Sequence, residues 1–334
     1  MITAVGAVSS VGFGAITTCA SIRAGICRPE VLTEHQVLDL EDQVPVGVTG
    51  HPITLVTRGF TGVGRWLQMA VLALEDLCRS AKLPGPEITQ FWSTTLCTVV
   101  IPILDVDRFM MEPACASEQA VFAGLITPLD RRVAPFFSLV RSAVRCRGRI
   151  GVLEAVQLAE EHFQHRRYER VIVLAVDSLT DGTGLSWLAA QGRLKHDHNP
   201  VGLAPGEGAA AFMLEARWAA DARSAPALGH VEAVASARGA PFPDAIEGPQ
   251  GSGLAEVIQA VLTTSGAPLP YTCETLTDLN GEQWRAQQYG YAQVRVPRDL
   301  WNSDIIDLPA ASVGDVGTAM AALQMILACR SLHR

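Results

Sequence analysis

The sequence holds eight cysteines, at 19, 27, 78, 97, 115, 146, 273 and 329, and eight histidines, the residue types that most often supply nucleophiles and proton carriers. None of the cysteines forms a CxxC pair, and none joins histidines at zinc-ligand spacing, so small buried hydrophobes in a reducing compartment are expected for most of them. Cys146 reads as a cysteine in a basic loop, with a displaced nucleophile as the alternative. It lies in Val144-Arg-Cys-Arg-Gly-Arg149, and the arginines at 141, 145, 147 and 149 would favour the thiolate of an exposed cysteine. His196 and His198 alternate in a polar stretch, which reads as a solvated loop in preference to a metal site; no metal or cofactor is expected. Gly206 and Gly208 flank Glu207 ahead of an apolar run, a pattern that suits a tight turn with Glu207 accepting backbone amides. In Asp278-Leu-Asn-Gly-Glu-Gln-Trp-Arg285, Asn280-Gly281 is a turn signal, and Glu282 and Arg285 stand at the i,i+3 spacing of a helix-surface ion pair.

These residues need a scaffold, and composition supplies one. The 334 residues are 49% hydrophobic and 18% charged, with mean hydropathy +0.22, enough for a packed core. A net charge of −8 argues against nucleic-acid and anionic-membrane partners. No apolar run approaches the roughly 18 residues of a membrane span, and the N-terminus lacks the basic start of a signal peptide, so a cytoplasmic location is expected. Short β-branched runs predict strands at Ile2 to Val8, Thr98 to Leu104, Val171 to Val176, Ala209 to Leu214, Val231 to Ala235 and Ile305 to Leu308. Their continuity on both faces is that of strands sandwiched between helices. Amphipathic spacing predicts helices over Ile150 to Phe163, Leu254 to Leu262 and Thr318 to Leu327. The chain therefore reads as α/β, with two related halves, residues 1–217 and 227–334, separated by the polar stretch Ala219 to Pro226. A cap or interface insertion is expected at about 105–145.

Several segments resemble one family. Gly202-Leu-Ala-Pro-Gly-Glu-Gly-Ala-Ala-Ala-Phe-Met-Leu-Glu215 is similar to the stretch of β-ketoacyl synthases in which Gly-Glu-Gly leads into an apolar strand. Tyr168 to Ser178 resembles the strand after the nucleophile's helix, Val5 to Gly12 with Ser21-Ile-Arg-Ala-Gly25 the first strand and helix, and Gly314-Asp-Val-Gly-Thr-Ala-Met320 the Gly-His turn. The resemblance implies a thiolase-like five-layer αβαβα fold of two pseudo-repeated halves, a homodimer, and acyl chemistry on acyl carrier protein or acyl-CoA. That chemistry uses a cysteine at a helix N-terminus and two histidines that stabilise developing negative charge. Carried over position by position, Gly148 or Arg149 falls at the nucleophile, Asp278 or Asn280 at the first histidine and Asp315 at the second. A carboxylate cannot donate to an oxyanion, so the expectation is a scaffold without the family's catalysis. The alternative is an acyltransferase that uses Cys146. Ala114-Cys-Ala-Ser117 matches the family's nucleophile letters, but its position and Glu118 argue against Cys115.

The pattern Asp278-x-Asn280-Gly281-Glu282-x-x-Arg285 also resembles that of ketosynthase-like accessory proteins linked to bacterial type VI secretion effectors. That likeness implies an adaptor or chaperone-like role with a secretion effector or another accessory protein as partner. Against the synthase pattern the second half is expected to be cut short, with an open edge for a partner or dimer mate.

Overall fold

A computed structural model describes residues 1–38, 43–109, 118–237 and 251–332. Its centre is a six-stranded mixed sheet in the order β2-β1-β8-β7-β5-β6. The strands are β1 (Ile2–Ser9), β2 (Gly12–Phe13), β5 (Thr95–Ile101), β6 (Ser142–Cys146), β7 (Arg170–Ser178) and β8 (Glu207–Glu215). β5 runs parallel to both β6 and β7, whereas β8 is antiparallel to β7 and β1. Outside this sheet β3 (Glu30–Leu38) pairs with β4 (Pro45–Gly50), and β9 (Thr275–Leu276) with β10 (Ile306–Asp307).

The apolar runs of β7 and β8 are continuous because both faces of the sheet are covered. Val171, Val173, Ala175, Ala210, Phe212 and Leu214 pack with the Gly148–Gln164 and Ala319–Ser331 helices. Ile172, Leu174, Val176, Ala209, Ala211 and Met213 pack on the other side with the Val63–Ser80 helix. A separate small core joins the Ser252–Thr264 and Gln283–Arg295 helices through Ala255, Leu262, Ala292, Val296 and Trp301. Among the described residues no helix is long and apolar enough to cross a membrane.

Four expectations change. Residues 231–237 hold no strand, and the run expected from Ile305 to Leu308 is strand only at Ile306–Asp307. Residues 142–145, placed at the end of an insertion by the sequence reading, belong to an edge strand of the main sheet, Ser142–Cys146; its five residues, two of them arginine or cysteine beside a single buried valine, give too short a pattern to read. The Gly-Glu-Gly segment is not a tight turn. Glu207 already belongs to β8, and Gly206 serves close approach instead, since a Cβ there would lie 2.2 Å from the Val313 carbonyl oxygen. Residues 110–117, including Met110, Met111 and Cys115, lie outside the described residues.

Candidate functional site

The Gly148–Gln164 helix starts directly after β6, with Arg147 at its N-cap. Such a sharp strand-to-helix junction requires a left-handed residue, and Gly148 supplies it at φ +59°. Three residues on, a Cβ at Gly151 would sit 2.7 Å from Val100 Cγ1, so glycine lets the helix lie against β5. The elbow therefore has the geometry that presents a side chain at a helix N-terminus, and its first residue has no side chain to present.

Arg149 fills the space instead. Its Nε donates to the Gly317 carbonyl at 3.0 Å, Nη1 donates to Asp278 Oδ2 at 2.7 Å, and Nη2 donates to Asp315 Oδ1. Asp315 is buried and is held from other sides by Gly317 N–H at 2.8 Å and Asn280 Nδ2 at 2.6 Å. Asn280 also donates to Glu282 Oε2 at 2.8 Å and accepts the Glu282 amide at 3.1 Å, an Asx-type turn. Glu282 is clamped by Arg193, Nε to Oε1 at 2.6 Å and Nη2 to Oε2 at 3.0 Å, and Arg285 reaches both Asp278 (2.5 Å) and Glu282 (3.2 Å). Three guanidinia thus face three carboxylates, with one amide between them.

Burial alone would raise the Asp315 pKa, but the charges of Arg149 and Arg285 and the bonds from Arg149 and Asn280 outweigh it and hold the carboxyl well below the ordinary range. Glu282 is likewise lowered: burial opposes, and the Arg193 bond and charge prevail. Burial works against the Arg149 guanidinium too, yet Asp315 and Asp278 push its pKa up. An ionised carboxylate accepts and does not donate, and each Arg149 nitrogen already donates to an acceptor. Asp315 and Glu282 therefore offer no proton to donate near neutrality, and their acceptor oxygens are taken up by bonds within the cluster.

The backbone brings these groups together from distant segments. Pro205 bridges Asp315 in parallel fashion, with Gly206 N–H donating to Asp315 O and Asp315 N–H to Ala204 O, each at 2.8 Å, and Gly314 takes φ +69° to permit the turn. Beside it, buried Asp177 at the end of β7 accepts Thr318 N–H (2.9 Å) and Arg108 Nη2 (2.6 Å), placing a carboxylate at the start of the Ala319–Ser331 helix. On the other flank Glu207 is fully buried and accepts Ile53 N–H and Thr57 Oγ1 at 2.6 Å, Ser178 Oγ at 2.8 Å and Arg65 Nε at 3.0 Å, so it does take a backbone amide.

The positions singled out in the sequence, Gly148, Arg149, Asp278, Asn280 and Asp315, thus converge on one locus, and the Glu282–Arg285 pair forms as its spacing suggests. Cys146 does not join them. It and Val144 lie on the sheet face covered by the Val63–Ser80 helix, where Cys146 packs half-buried against that core, opposite the face that carries the Gly148–Gln164 helix. Of the arginines around it, Arg147 is bound to Glu154 at 2.9 Å and Arg149 to the two aspartates. Arg193 and the Arg108–Asp177 pair were not legible beforehand, because isolated arginines carry no periodic signal. His196 and His198 occupy a turn closed by mutual backbone bonds between residues 196 and 199. Among the described residues no group of three His, Cys, Asp or Glu side chains could hold a metal ion.

No protein-family model and no curated protein matches the sequence. Solved structures do. A type II polyketide ketosynthase in complex with its acyl carrier protein aligns over 99% of this chain and 85% of its own, with TM-score 0.72 and 15% identity. The ishigamide ketosynthase/chain length factor covers 99% of this chain and 90% of its own at TM-score 0.64 and 18% identity. A β-ketoacyl synthase from Burkholderia phymatum STM815 covers 100% and 86% at TM-score 0.68 and 15% identity. The chain has an α/β thiolase-like fold of the ketosynthase kind.

Proposed function

We propose that the protein is a non-catalytic ketosynthase-fold adaptor or chaperone-like accessory that works by binding another protein. The observation that carries this reading is Arg149 bonded to both Asp278 and Asp315 at the point where the resemblance would put a nucleophile and two histidines. Condensation needs a thiolate and oxyanion donors. Here a glycine stands at the elbow, and the carboxylates would repel the charge that condensation develops.

The finer reading is an accessory of a bacterial type VI secretion effector. It is supported by the chemistry of the Asp-x-Asn-Gly-Glu-x-x-Arg pattern, in which Asp278, Asn280, Glu282 and Arg285 each bond another member of the Arg149–Asp315 cluster and Gly281 adopts φ +103°. A pattern that holds such a cluster together serves shape, and shape is what a binding protein presents.

The second reading, acyl transfer through Cys146, draws on the ketosynthase structure that contains an acyl carrier protein. It requires Cys146 to leave the core-facing side of β6. Intact-protein mass spectrometry after incubation with acyl-CoA and with acylated carrier protein separates the two. The adaptor reading expects an unmodified mass and a stoichiometric partner in a pull-down from the native cell. A clean acyl adduct on Cys146, absent from Cys146→Ser, would sink it.

A further inference from the structure

Beside the charge cluster, a cavity of about 250 Å³ opens where residues 192–202 meet residues 282–287. One wall carries Gly192, Asn199 and Val201; the other is the start of the Gln283–Arg295 helix, with Gln283, Trp284 and Gln287. The walls touch at the base. A Cβ on Gly281 would lie 2.7 Å from the Gly202 carbonyl oxygen, and Arg193 on one side is clamped to Glu282 on the other. Concave sites with a few convergent polar groups are where small molecules bind.

The lining decides what chemistry fits. Its only charged members, Arg193 and Glu282, are bonded to each other twice and lie nearly out of water, so neither has a charge to spare for an ionic ligand. Its apolar surface is confined to Val201 and the Trp284 indole, and the Arg285 guanidinium already lies over one face of that indole, 4.5 Å from the ring centroid. So little apolar area does not hold a hydrocarbon. What remains is neutral and can both donate and accept, the side-chain amides of Asn199, Gln283 and Gln287. Asn199 Nδ2 donates to the Gly192 and Leu194 carbonyls at 3.0 and 2.8 Å, which fixes the loop and leaves Oδ1 as an acceptor. Gln283 and Gln287 stand four apart, on one face of their helix.

We propose that this cavity binds a neutral pyranose unit of a saccharide. A pyranose combines an uncharged body, a C–H flank for the remaining face of the indole, and hydroxyls round its rim that pair with amides. Because the walls come from separate parts of the chain, the bound ring ties residues 192–202 to residues 282–287. The site holds whether the chain is an adaptor or an acyltransferase, so it stands or falls apart from both readings.

The test uses the full chain with the methyl pyranosides of glucose, galactose, mannose and N-acetylglucosamine, and with methyl glucuronide and cyclohexanol as the charged and the apolar control. Binding is followed by saturation-transfer difference NMR and amide hydrogen exchange. At least one neutral pyranoside is expected to receive saturation at its ring C–H protons, to bind at least tenfold more tightly than either control, and to slow exchange in both walls. Trp284→Ala should weaken that binding at least tenfold; Gln283→Ala, at an exposed site, should weaken it severalfold and carries the test should Trp284→Ala misfold. No binding of any of the four, equal binding of either control, or binding left unchanged by Gln283→Ala and by a folded Trp284→Ala would each overturn the proposal.

Discussion

Removing the Arg149 guanidinium should expose how much of the fold depends on the charge cluster. In Arg149→Met, Asp315 stays 98% out of water, since its side chain is 2% exposed, and it keeps only the Gly317 amide and Asn280 as donors. Stripping one partner from a buried pair costs about 3–5 kcal/mol. Arg149 is 23% exposed and Asp315 retains two donors, so about 3 kcal/mol is the discounted figure. Asp315→Asn leaves Arg149 with Asp278 and a route to water, and should cost about 2 kcal/mol. Because each change removes the same contact, the double variant should lose about 3 kcal/mol instead of the additive ~5, a coupling of about 2 kcal/mol. Urea unfolding followed by circular dichroism measures all four corners of the cycle. Thermal midpoints provide a second readout, falling by about 2 °C per kcal/mol in a chain of this size. A coupling below about 0.5 kcal/mol would refute the claim that the Arg149–Asp315 contact organises the site.

The same coupling should depend on pH in one direction. The folded Asp315 carboxyl titrates below its unfolded value of about 3.9, so its contribution is complete above that value and is lost as pH falls toward the folded pKa; the cycle repeated at pH 6 and pH 3.5 should shrink only at the lower. Buried His51 has its pKa lowered by burial, so the unfolded chain takes up the proton first and stability should fall as pH drops below about 6.5; His51→Asn should flatten that slope, to which His162, also lowered by burial, contributes in the same direction. Gly148→Ala should cost only about 1 kcal/mol, because a Cβ there meets nothing nearer than Ile103 Cγ1 at 3.9 Å and the penalty is that of a left-handed alanine. Gly206→Ala places its Cβ 2.2 Å from a backbone oxygen and should cost about 3 kcal/mol or prevent folding, read by the same urea titration.

The sequence by itself determined the periodic and the positional. Continuous apolar runs at 171–176 and 209–214 could only be central strands, because both faces of each are filled by helices. Gly148 and Gly314 were picked out by counted position alone, and their left-handed backbone came only with the structure. Gly148, Arg149, Asp278, Asn280 and Asp315 were readable as letters at counted positions, and only the tertiary structure brought them together. Arg149 is 129 residues from Asp278 and 166 from Asp315, and no local spacing relates an arginine on one helix to aspartates in two distant turns. Charge in the sequence left Cys146 between a cysteine in a basic loop and, as the alternative, a nucleophile activated by its arginines. A two-residue period along β6 instead sends Cys146 to one face, while the helix that follows carries Arg149 across the other to its carboxylates. Short strands such as β6 and β9 escaped notice for the same reason: pairing partners, not pattern, stabilise so few residues.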